Sequence, residues 1–330
     1  MRLRGGLGRA ALGIGISVVA LALVVRSVDL GAAWEVLRRA DARWLLLLLA
    51  FVTTDVLLRA IRWRVLLGPV ADVPLRSTLA SLLVGYLANN VLPARLGEIV
   101  RSHDLGSRTG ISRSTILGTI VVERVVDTLV VVAIAAVAIL VLSIRGIVAS
   151  AVMVGAAVTA LLVVAVAVAI AAHRLPGADR AAAVIARRPL IHGALVRLRA
   201  GLSIAGDLPT MAMAIVLSIG SWSCTVLAFA TAAQAVGLEP TIGQAALLAA
   251  GTNLATAIPA APGYVGTFEL AAVTIGASVG IRPETALAFA VLVHAAALLL
   301  TSAGGAVAFL AGGRQRRGSP SPEGVPEVDG

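Results

Sequence analysis

Six stretches of the chain are almost uninterrupted runs of apolar residues. They cover about residues 10–27, 43–60, 115–142, 147–172, 210–235 and 285–311. A helix of ~20 residues crosses the ~30 Å hydrocarbon core of a bilayer. The pattern therefore predicts an all-α polytopic membrane protein with about six full transmembrane helices. These would form a single membrane domain over residues 1–312, followed by a disordered cytoplasmic tail over 313–330.

Two further apolar segments, 75–101 and 243–281, are interrupted by helix-breaking residues. Irregular backbone at membrane depth is tolerated only inside protein or beside a wet cavity. We expect both segments to re-enter the membrane, although two ordinary spans over 243–281 would preserve the same topology. The breakers are Pro93 and Gly97 in the first segment and Pro259, Pro262, Gly263 and Gly266 in the second.

The two broken segments resemble each other. The first ends LANNVLPARLGE and the second contains LATAIPAAPGYVGTFE, so that both run from small and polar residues through proline to glycine and glutamate. If they enter from opposite sides, they form a weak inverted repeat. In transporters, interrupted apolar segments at corresponding positions of two halves mark the substrate site.

Composition supports the membrane assignment and narrows the chemistry. The chain is 59% hydrophobic and 13% charged, about half the charge of a soluble domain. Its net charge of +10 is spread over short loops, which favours membrane orientation rather than nucleic-acid binding. One cysteine excludes an internal disulfide, and the four histidines lack metal-site spacing, so neither a metal nor a cofactor is predicted.

The arginines predict the orientation. Segments 1–9, 61–76, 93–114, 173–209 and 312–330 hold 19 arginines, whereas the opposite segments 28–42, 143–146 and 236–284 hold four. Because positive residues are enriched in cytoplasmic loops, both termini are expected in the cytoplasm. We expect a multi-pass protein of the bacterial cytoplasmic membrane.

Three charged residues lie within the apolar run 115–142: Glu123, Arg124 and Asp127. Each charge at the centre of a bilayer costs ~3 kcal/mol on insertion scales. On a helix, Arg124 can pair with Asp127, which leaves Glu123 needing another cation, a proton or water. The group is either a buried clamp between helices or part of a substrate or proton pathway.

The first broken segment carries the densest polar group, made of Asn89, Asn90, Arg95, Glu98 and Arg101. Two arginines beside a carboxylate can receive a lipid phosphate while the carboxylate fixes their geometry. The alternative is an interfacial loop with ordinary ion pairs.

Other polar residues of the apolar segments are fewer. Glu269 after the second break is a third candidate carboxylate. His294 is expected to have a hydrogen-bonded packing role, with proton relay as the alternative. Asp55 and Arg59 are four residues apart on one predicted helix and are expected to form a structural ion pair.

The motifs resemble those of a known family. N-x-x-P-x-R-x-G-E-x-x-R over Asn90–Arg101, E-R-x-x-D over Glu123–Asp127 and P-x-x-P-G-x-x-G-x-x-E over Pro259–Glu269 are similar to the lysylphosphatidylglycerol synthase transmembrane-region family, also described as flippase-like or UPF0104 proteins. The resemblance implies an inner-membrane protein of the lipid-flippase type. The cytosolic aminoacyltransferase domain of bifunctional relatives is not expected in this chain.

These observations predict a translocase for an anionic or aminoacylated phospholipid or a polyprenyl-linked lipid. Nucleotide-binding and hydrolase motifs are missing from the sequence, so movement would be downhill or coupled to protons. The alternative is a membrane enzyme, or a subunit of a synthase or glycosyltransferase, that modifies lipid head groups or lipid-linked glycans.

Overall fold

The computed structural model describes residues 2–92, 96–171, 200–258 and 260–318. Over these residues the chain is helical and has no strand, which confirms the all-α polytopic prediction. The α-helices are α1 Arg2–Ser27, α2 Leu30–Arg38, α3 Ala42–Leu67, α4 Leu75–Val91, α5 Gly97–Thr109, α6 Arg113–Leu142, α7 Ile147–Ala171, α8 Leu208–Ala235, α9 Ile242–Ala255, α10 Thr267–Ser278 and α11 Pro283–Gly318.

Four of these helices, α3, α6, α8 and α11, are long and apolar enough to cross a membrane. Helices α1 and α2 pass the same test as a pair, bent by 86°. The described apolar part of α7, Ile147–Leu161, is shorter. Helix α3 runs to Leu67 rather than ending near residue 60, so it carries Arg62 into the interior, whereas the sequence pattern placed that residue in a cytoplasmic loop.

Polar caps define where the helices begin. The side chains of Asp41, Ser112 and Asp207 accept hydrogen bonds from the first-turn amides of α3, α6 and α8. Thr241 and Gln244 form a reciprocal capping box at the start of α9. Each cap satisfies amide groups that the first turn of a helix leaves without a carbonyl partner.

The first broken segment folds into a hairpin of α4 and α5, which we call the first hairpin (residues 75–109). Ser81 donates to Asp104 at 2.7 Å, and the amide of Gly97 donates to Asn89 at 2.8 Å, which fixes an antiparallel register. A Cβ on Gly97 would lie 2.3 Å from the carbonyl oxygen of Gly85, so only glycine permits this approach. At 17 and 13 residues, each arm is shorter than a full span.

The second broken segment forms a matching hairpin of α9 and α10, which we call the second hairpin (residues 242–278). Gln244 donates to the carbonyl of Val279 at 3.2 Å, and Gly251 lies against Ile275, so these arms are also antiparallel. The break between them contains a 3₁₀ turn over Pro262–Tyr264. Gly266 has a φ of 90°, a conformation that glycine adopts at little cost.

The packing of the helices follows an inverted repeat. Among the eight helices α3–α6 and α8–α11, exchanging α3 with α8, α4 with α9, α5 with α10 and α6 with α11 converts the set of packed pairs into itself. Helices α3 and α8 pack along their length and are antiparallel, with Asp41 beside Ala235 and Arg62 beside Ser218. A two-fold axis along the membrane normal would make them parallel, so the axis lies in the plane of the membrane.

Candidate functional site

A buried ionic network joins the two halves of the fold. The guanidinium of Arg62, on α3, is fully buried and forms two hydrogen bonds with the carboxylate of Asp127, on α6; the one from Nη2 to Oδ2 measures 2.8 Å. Its Nη1 also donates to Ser218, on α8, at 2.6 Å, and its Nη2 lies 3.3 Å from Glu123. Arg62 therefore links three helices through four polar contacts.

Glu123 is not left without a cation. Arg101 of the first hairpin binds it in a bidentate manner, with Nη1 donating to Oε1 at 3.1 Å. The guanidinium of Arg101 also lies 3.6 Å from the ring centroid of Trp63, a cation–π arrangement. Arg101 is 2% exposed, and its Nε has no hydrogen-bond partner among the described residues, so a contact with a lipid phosphate stays a prediction.

Asp55 and Arg59 form the ion pair that the sequence predicted. Arg59 Nε donates to both carboxylate oxygens, at 2.8 and 2.9 Å, and Asp55 also accepts from Ser221 on α8. Arg59 Nη1 lies 3.5 Å from Asp127 Oδ2. The predicted pairing of Arg124 with Asp127 is replaced by these contacts, because α3 approaches that face of α6 with two arginines.

This network explains how α6 tolerates charge at such depth. Removing one partner of a buried ion pair costs about 3–5 kcal/mol, because the other charge stays behind in a medium of low dielectric. Here each carboxylate of α6 faces at least two arginines. The pairs favour the interpretation of Glu123 and Asp127 as a clamp between helices.

A cavity of about 320 Å³ lies where the tips of the two hairpins meet. The carbonyl oxygen of Asn90 is 3.7 Å from the position that a Cβ on Gly263 would take. The polar side chains that line the cavity come from both hairpins and from the four long helices: Asp55, Arg59, Tyr86, Asn89, Asn90, Glu98, Arg124, Thr225, Asn253, Thr256, Tyr264, His294 and Thr301.

Two charged residues of this lining have unused hydrogen-bonding capacity. Arg124 is 41% exposed, has one contact with Glu123 at 3.3 Å, and keeps a buried Nε without a partner. Glu98 has no hydrogen bond or salt bridge with another described residue, but its charge interacts with that of Arg124. Because Arg124 lies about 100° around α6 from Glu123, it faces the cavity while its neighbour faces the clamp.

The two asparagines predicted at the site hold the first hairpin in place. Asn89 accepts from the amide of Gly97, the residue that begins α5, at 2.8 Å. Asn90 donates to Thr301 at 3.0 Å and to Ser302 at 2.9 Å, both on α11. Their side chains therefore position the hairpin tip at the cavity and also form part of its wall.

Glu269 lies behind the cavity wall and binds a residue that lines it. Its Oε1 is 2.6 Å from Nδ1 of His294, and its Oε2 accepts from the amide of Gly266 at 2.7 Å. His294 Nε2 is 2.7 Å from the carbonyl oxygen of Gly263, and the ring packs on Phe268. The sequence analysis expected a hydrogen-bonded packing role for His294, and these contacts are of that kind.

Three of the predicted residues, Pro93, Arg95 and Pro259, lie outside the described residues. Of the remaining breakers, Gly97 permits the close contact of α4 with α5, and Gly263 and Gly266 adopt positive φ. Pro262 begins the 3₁₀ turn. Sequence reasoning missed Arg62, although its spacing from Arg59 and Asp55 along one helix was a signal that it shares their face.

Comparison with known proteins identifies the family. The sequence profile described as lysylphosphatidylglycerol synthase TM region matches residues 10–305. A UPF0104 membrane protein of Methanothermobacter thermautotrophicus is 32% identical over 123 residues, 36% of each chain. The glycosyltransferase AglD of Haloferax volcanii is 26% identical over 328 aligned residues, 89% of this chain and 53% of that protein.

The chain therefore aligns with about a third and about half of the lengths of these two curated relatives. No solved structure matches it. The profile match extends from α1 into α11 and includes both hairpins. The chain belongs to the lysylphosphatidylglycerol synthase transmembrane-region family.

Proposed function

We propose that the protein moves the head group of a phospholipid or a lipid-linked substrate between the two leaflets of its membrane. The observation that carries this proposal is the cavity between the hairpin tips, lined by Arg124 and Glu98, whose charges the protein itself leaves only partly paired. Such residues are costly inside a membrane protein and usually mark a substrate pathway.

The chemistry of the cavity suits an anionic or zwitterionic head group. Arg124 is 41% exposed and has one contact at 3.3 Å, which leaves guanidinium donors for a phosphate oxygen. Such charge-assisted hydrogen bonds are about twice as strong as neutral ones. Glu98 is available for an amine or for hydroxyl groups. The amides and hydroxyls of the lining add weaker polar contacts that replace water around a head group as it enters.

The fold supplies a mechanism for alternating access. In transporters with inverted repeats, one repeat rocks against the other around a fixed midplane site. The hairpins here belong to different repeats and meet at the cavity, so tilting one repeat opens the cavity toward one leaflet. The Arg62 network would keep α3 and α6 of the first repeat together, whereas the donation of Arg62 to Ser218 on α8 joins the two repeats and would break or act as a hinge during this movement.

Proteoliposomes test the proposal. The full chain is reconstituted with fluorescent phosphatidylglycerol, aminoacylated phosphatidylglycerol or a polyprenyl-phosphate lipid, and the fluorophore in the outer leaflet is reduced chemically. We expect the protein to increase the fraction of at least one probe that becomes accessible, and Arg124→Gln to reduce its rate about tenfold, as expected for loss of one charged contact.

The matched control is Arg38→Gln, since Arg38 is an exposed arginine on α2. It should leave the rate unchanged. Equal rates with and without protein for all three probes would overturn the proposal, and so would equal rates for the Arg124→Gln variant and the parent protein.

A second candidate function is a role in modifying a lipid-linked sugar, either as an enzyme or as the membrane subunit of one. It is favoured by the match to a glycosyltransferase over 89% of this chain. In this case the cavity would hold the lipid carrier for a synthase or glycosyltransferase partner. Release of a modified lipid by the purified chain from a polyprenyl-phosphate sugar, without flipping, would favour this candidate.

The proposal also includes the orientation of the protein in the membrane and the membrane in which it lies. We place both termini in the cytoplasm and the protein in a bacterial cytoplasmic membrane, on the basis of the arginine distribution. Cysteine substitution of exposed Trp34 in α2, followed by labelling with a membrane-impermeant reagent in intact cells, tests this assignment. Labelling is expected only from outside, because α2 lies in the segment assigned to that face.

A further inference from the structure

Each half of the fold fastens its hairpin to the following long helix through one buried ionic contact. In the first half Arg101 of α5 binds Glu123 of α6. In the second half Glu269 of α10 binds His294 of α11. The repeat thus places the two contacts between corresponding pairs of helices. The charges are reversed, and the cation of the second contact is a histidine.

The hydrogen bonds of His294 require an additional proton. Its Nε2 lies 2.7 Å from a carbonyl oxygen of Gly263, which can only accept, so Nε2 carries hydrogen. Its Nδ1 lies 2.6 Å from a carboxylate oxygen of Glu269. A hydrogen bond at that distance needs a second proton, carried either by the imidazole or by the carboxyl group.

We propose that Glu269 and His294 together form a proton-binding site, and that the bound proton latches the tip of the second hairpin to α11. The inference goes beyond lipid movement, because it does not depend on which lipid, if any, the cavity accepts. The ligand of this site is a single proton shared by the two side chains.

Loss of the shared proton would break the contact between Glu269 and His294. An Nδ1 lone pair would then face the lone pairs of a carboxylate at 2.6 Å, which is repulsive. Glu269 is anchored to the start of α10 through Gly266, whereas His294 holds the 3₁₀ turn through Gly263. Separation of the pair therefore releases the start of α10, which directly follows the turn, from α11. The proton passes to water in the cavity, which His294 lines.

The surrounding charges do not replace this proton. Other titratable groups lining the cavity are Asp55 and Arg59 on α3, Tyr86 on α4, Glu98 on α5, Arg124 on α6 and Tyr264 of the turn. Asp55 and Arg59 neutralise each other, and Arg124 is drawn toward Glu123. None of the hydrogen bonds described for Glu269 or His294 is made with these groups.

The two contacts between a hairpin and its long helix, Arg101 with Glu123 and Glu269 with His294, should therefore respond differently to pH. An arginine guanidinium is not deprotonated in proteins, so the contact of Arg101 with Glu123 persists as the pH rises. The contact of Glu269 with His294, in contrast, exists only while the pair holds its shared proton, so a sufficient rise in pH removes it. A change in pH should therefore alter the second hairpin. The first hairpin should not respond, so its hydrogen exchange serves as an internal control.

Nitrogen NMR of the full chain, labelled at histidine and held in phosphatidylglycerol nanodiscs, tests the proton site. At about pH 7.5 an imidazole in water is mostly neutral. We expect the His294 pair to retain its proton at that pH, with Nε2 protonated and a shared proton at Nδ1. A neutral His294 with a bare Nδ1 beside an ionised Glu269 would overturn the proposal.

Hydrogen exchange measured by mass spectrometry tests the latch. Between about pH 6 and about pH 9, rates corrected for intrinsic exchange should rise roughly tenfold over residues 256–266 and stay constant over the first hairpin. Constant corrected rates in the second hairpin, or equal increases in both hairpins, would overturn the latch.

Three variants distinguish the effect of the shared proton from a general loss of folding. Glu269→Gln keeps an acceptor for Gly266 and gains an N–H that can donate to Nδ1, so its second hairpin should stay protected at every pH. His294→Ala should exchange fast at every pH. Glu284→Gln removes a carboxylate near the start of the same helix and should behave like the parent protein. If Glu269→Gln retains the parent's pH response, the assignment is wrong.

Discussion

Arg62 and Asp127 are 65 residues apart in sequence, yet they are joined by two hydrogen bonds between guanidinium and carboxylate in the buried centre of the fold. The pair connects α3 to α6, and the donation of Arg62 to Ser218 extends the connection to α8. One fully buried arginine thus contributes to the contact between the two inverted repeats, together with the packing of α3 on α8.

Arg62→Met should therefore be strongly destabilising. It leaves Asp127 buried with Arg59 at 3.5 Å as its remaining cation, and removes a cation near Glu123. We expect a loss of about 3–5 kcal/mol in the free energy of unfolding. Thermal or denaturant unfolding in detergent measures this loss, and the half-exposed Arg64→Met is the matched control.

The double variant Arg62→Met/Asp127→Leu tests whether the unpaired charge causes the loss. Because it removes both members of the pair, it should be less destabilised than the sum of the two single variants. Additive losses would show that the contact of Arg62 with Asp127 does not carry the interaction.

Arg124→Gln, unlike Arg62→Met, should affect lipid movement more than stability. Arg124 is 41% exposed and has one contact at 3.3 Å, so its loss should change the free energy of unfolding by less than about 1 kcal/mol. If the cavity binds a lipid phosphate, lipid movement should fall although the protein stays folded. Parallel measurements of unfolding and lipid movement on Arg124→Gln and Arg62→Met distinguish a ligand contact from a structural one.

Gly97→Ala should disrupt the first hairpin. The added methyl group would lie 2.3 Å from the carbonyl oxygen of Gly85 and 2.5 Å from the side chain of Asn89, so α4 and α5 must separate. Overpacking of this kind costs about 1–3 kcal/mol. Gly155→Ala in α7 is the control, because nothing lies within 4 Å of its new methyl group. Equal unfolding transitions of the two variants would contradict the prediction.

The sequence predicted the outline of this site because its signals are local. Runs of apolar residues predicted the long helices. The helix-breaking residues predicted where the two hairpins lie, and their similar order in both segments suggested the inverted repeat. The partners of Glu123 and Asp127 are long-range: their cations lie on α3 and α5, which the spacing along α6 cannot reveal. The same applies to Arg101, whose spacing indicates a helical face but not that the face is buried against Trp63.

The position of α1 shows the same limit and gives a further prediction. Ser17 is 3% exposed, and its hydroxyl accepts a hydrogen bond from the amide of Ala261, at the tip of the second hairpin, at 2.8 Å. Nothing in the apolar pattern of α1 indicates this contact. Ser17→Ala would leave the amide of Ala261 without this acceptor, which costs about 1–3 kcal/mol for a buried group.

The loss should be concentrated at the hairpin tip rather than spread over the fold. Hydrogen exchange over residues 256–266 should accelerate in Ser17→Ala, while exchange in α6 should stay unchanged. Ser27→Ala is the matched control on the same helix, since the Ser27 hydroxyl donates to the carbonyl of Leu23 within its own helix. If Ser17→Ala and Ser27→Ala exchange at the same rate over 256–266, α1 does not hold the tip in place. Faster exchange over 256–266 in Ser17→Ala alone would show that α1 stabilises the tip of the second hairpin, which also carries the Glu269–His294 contact.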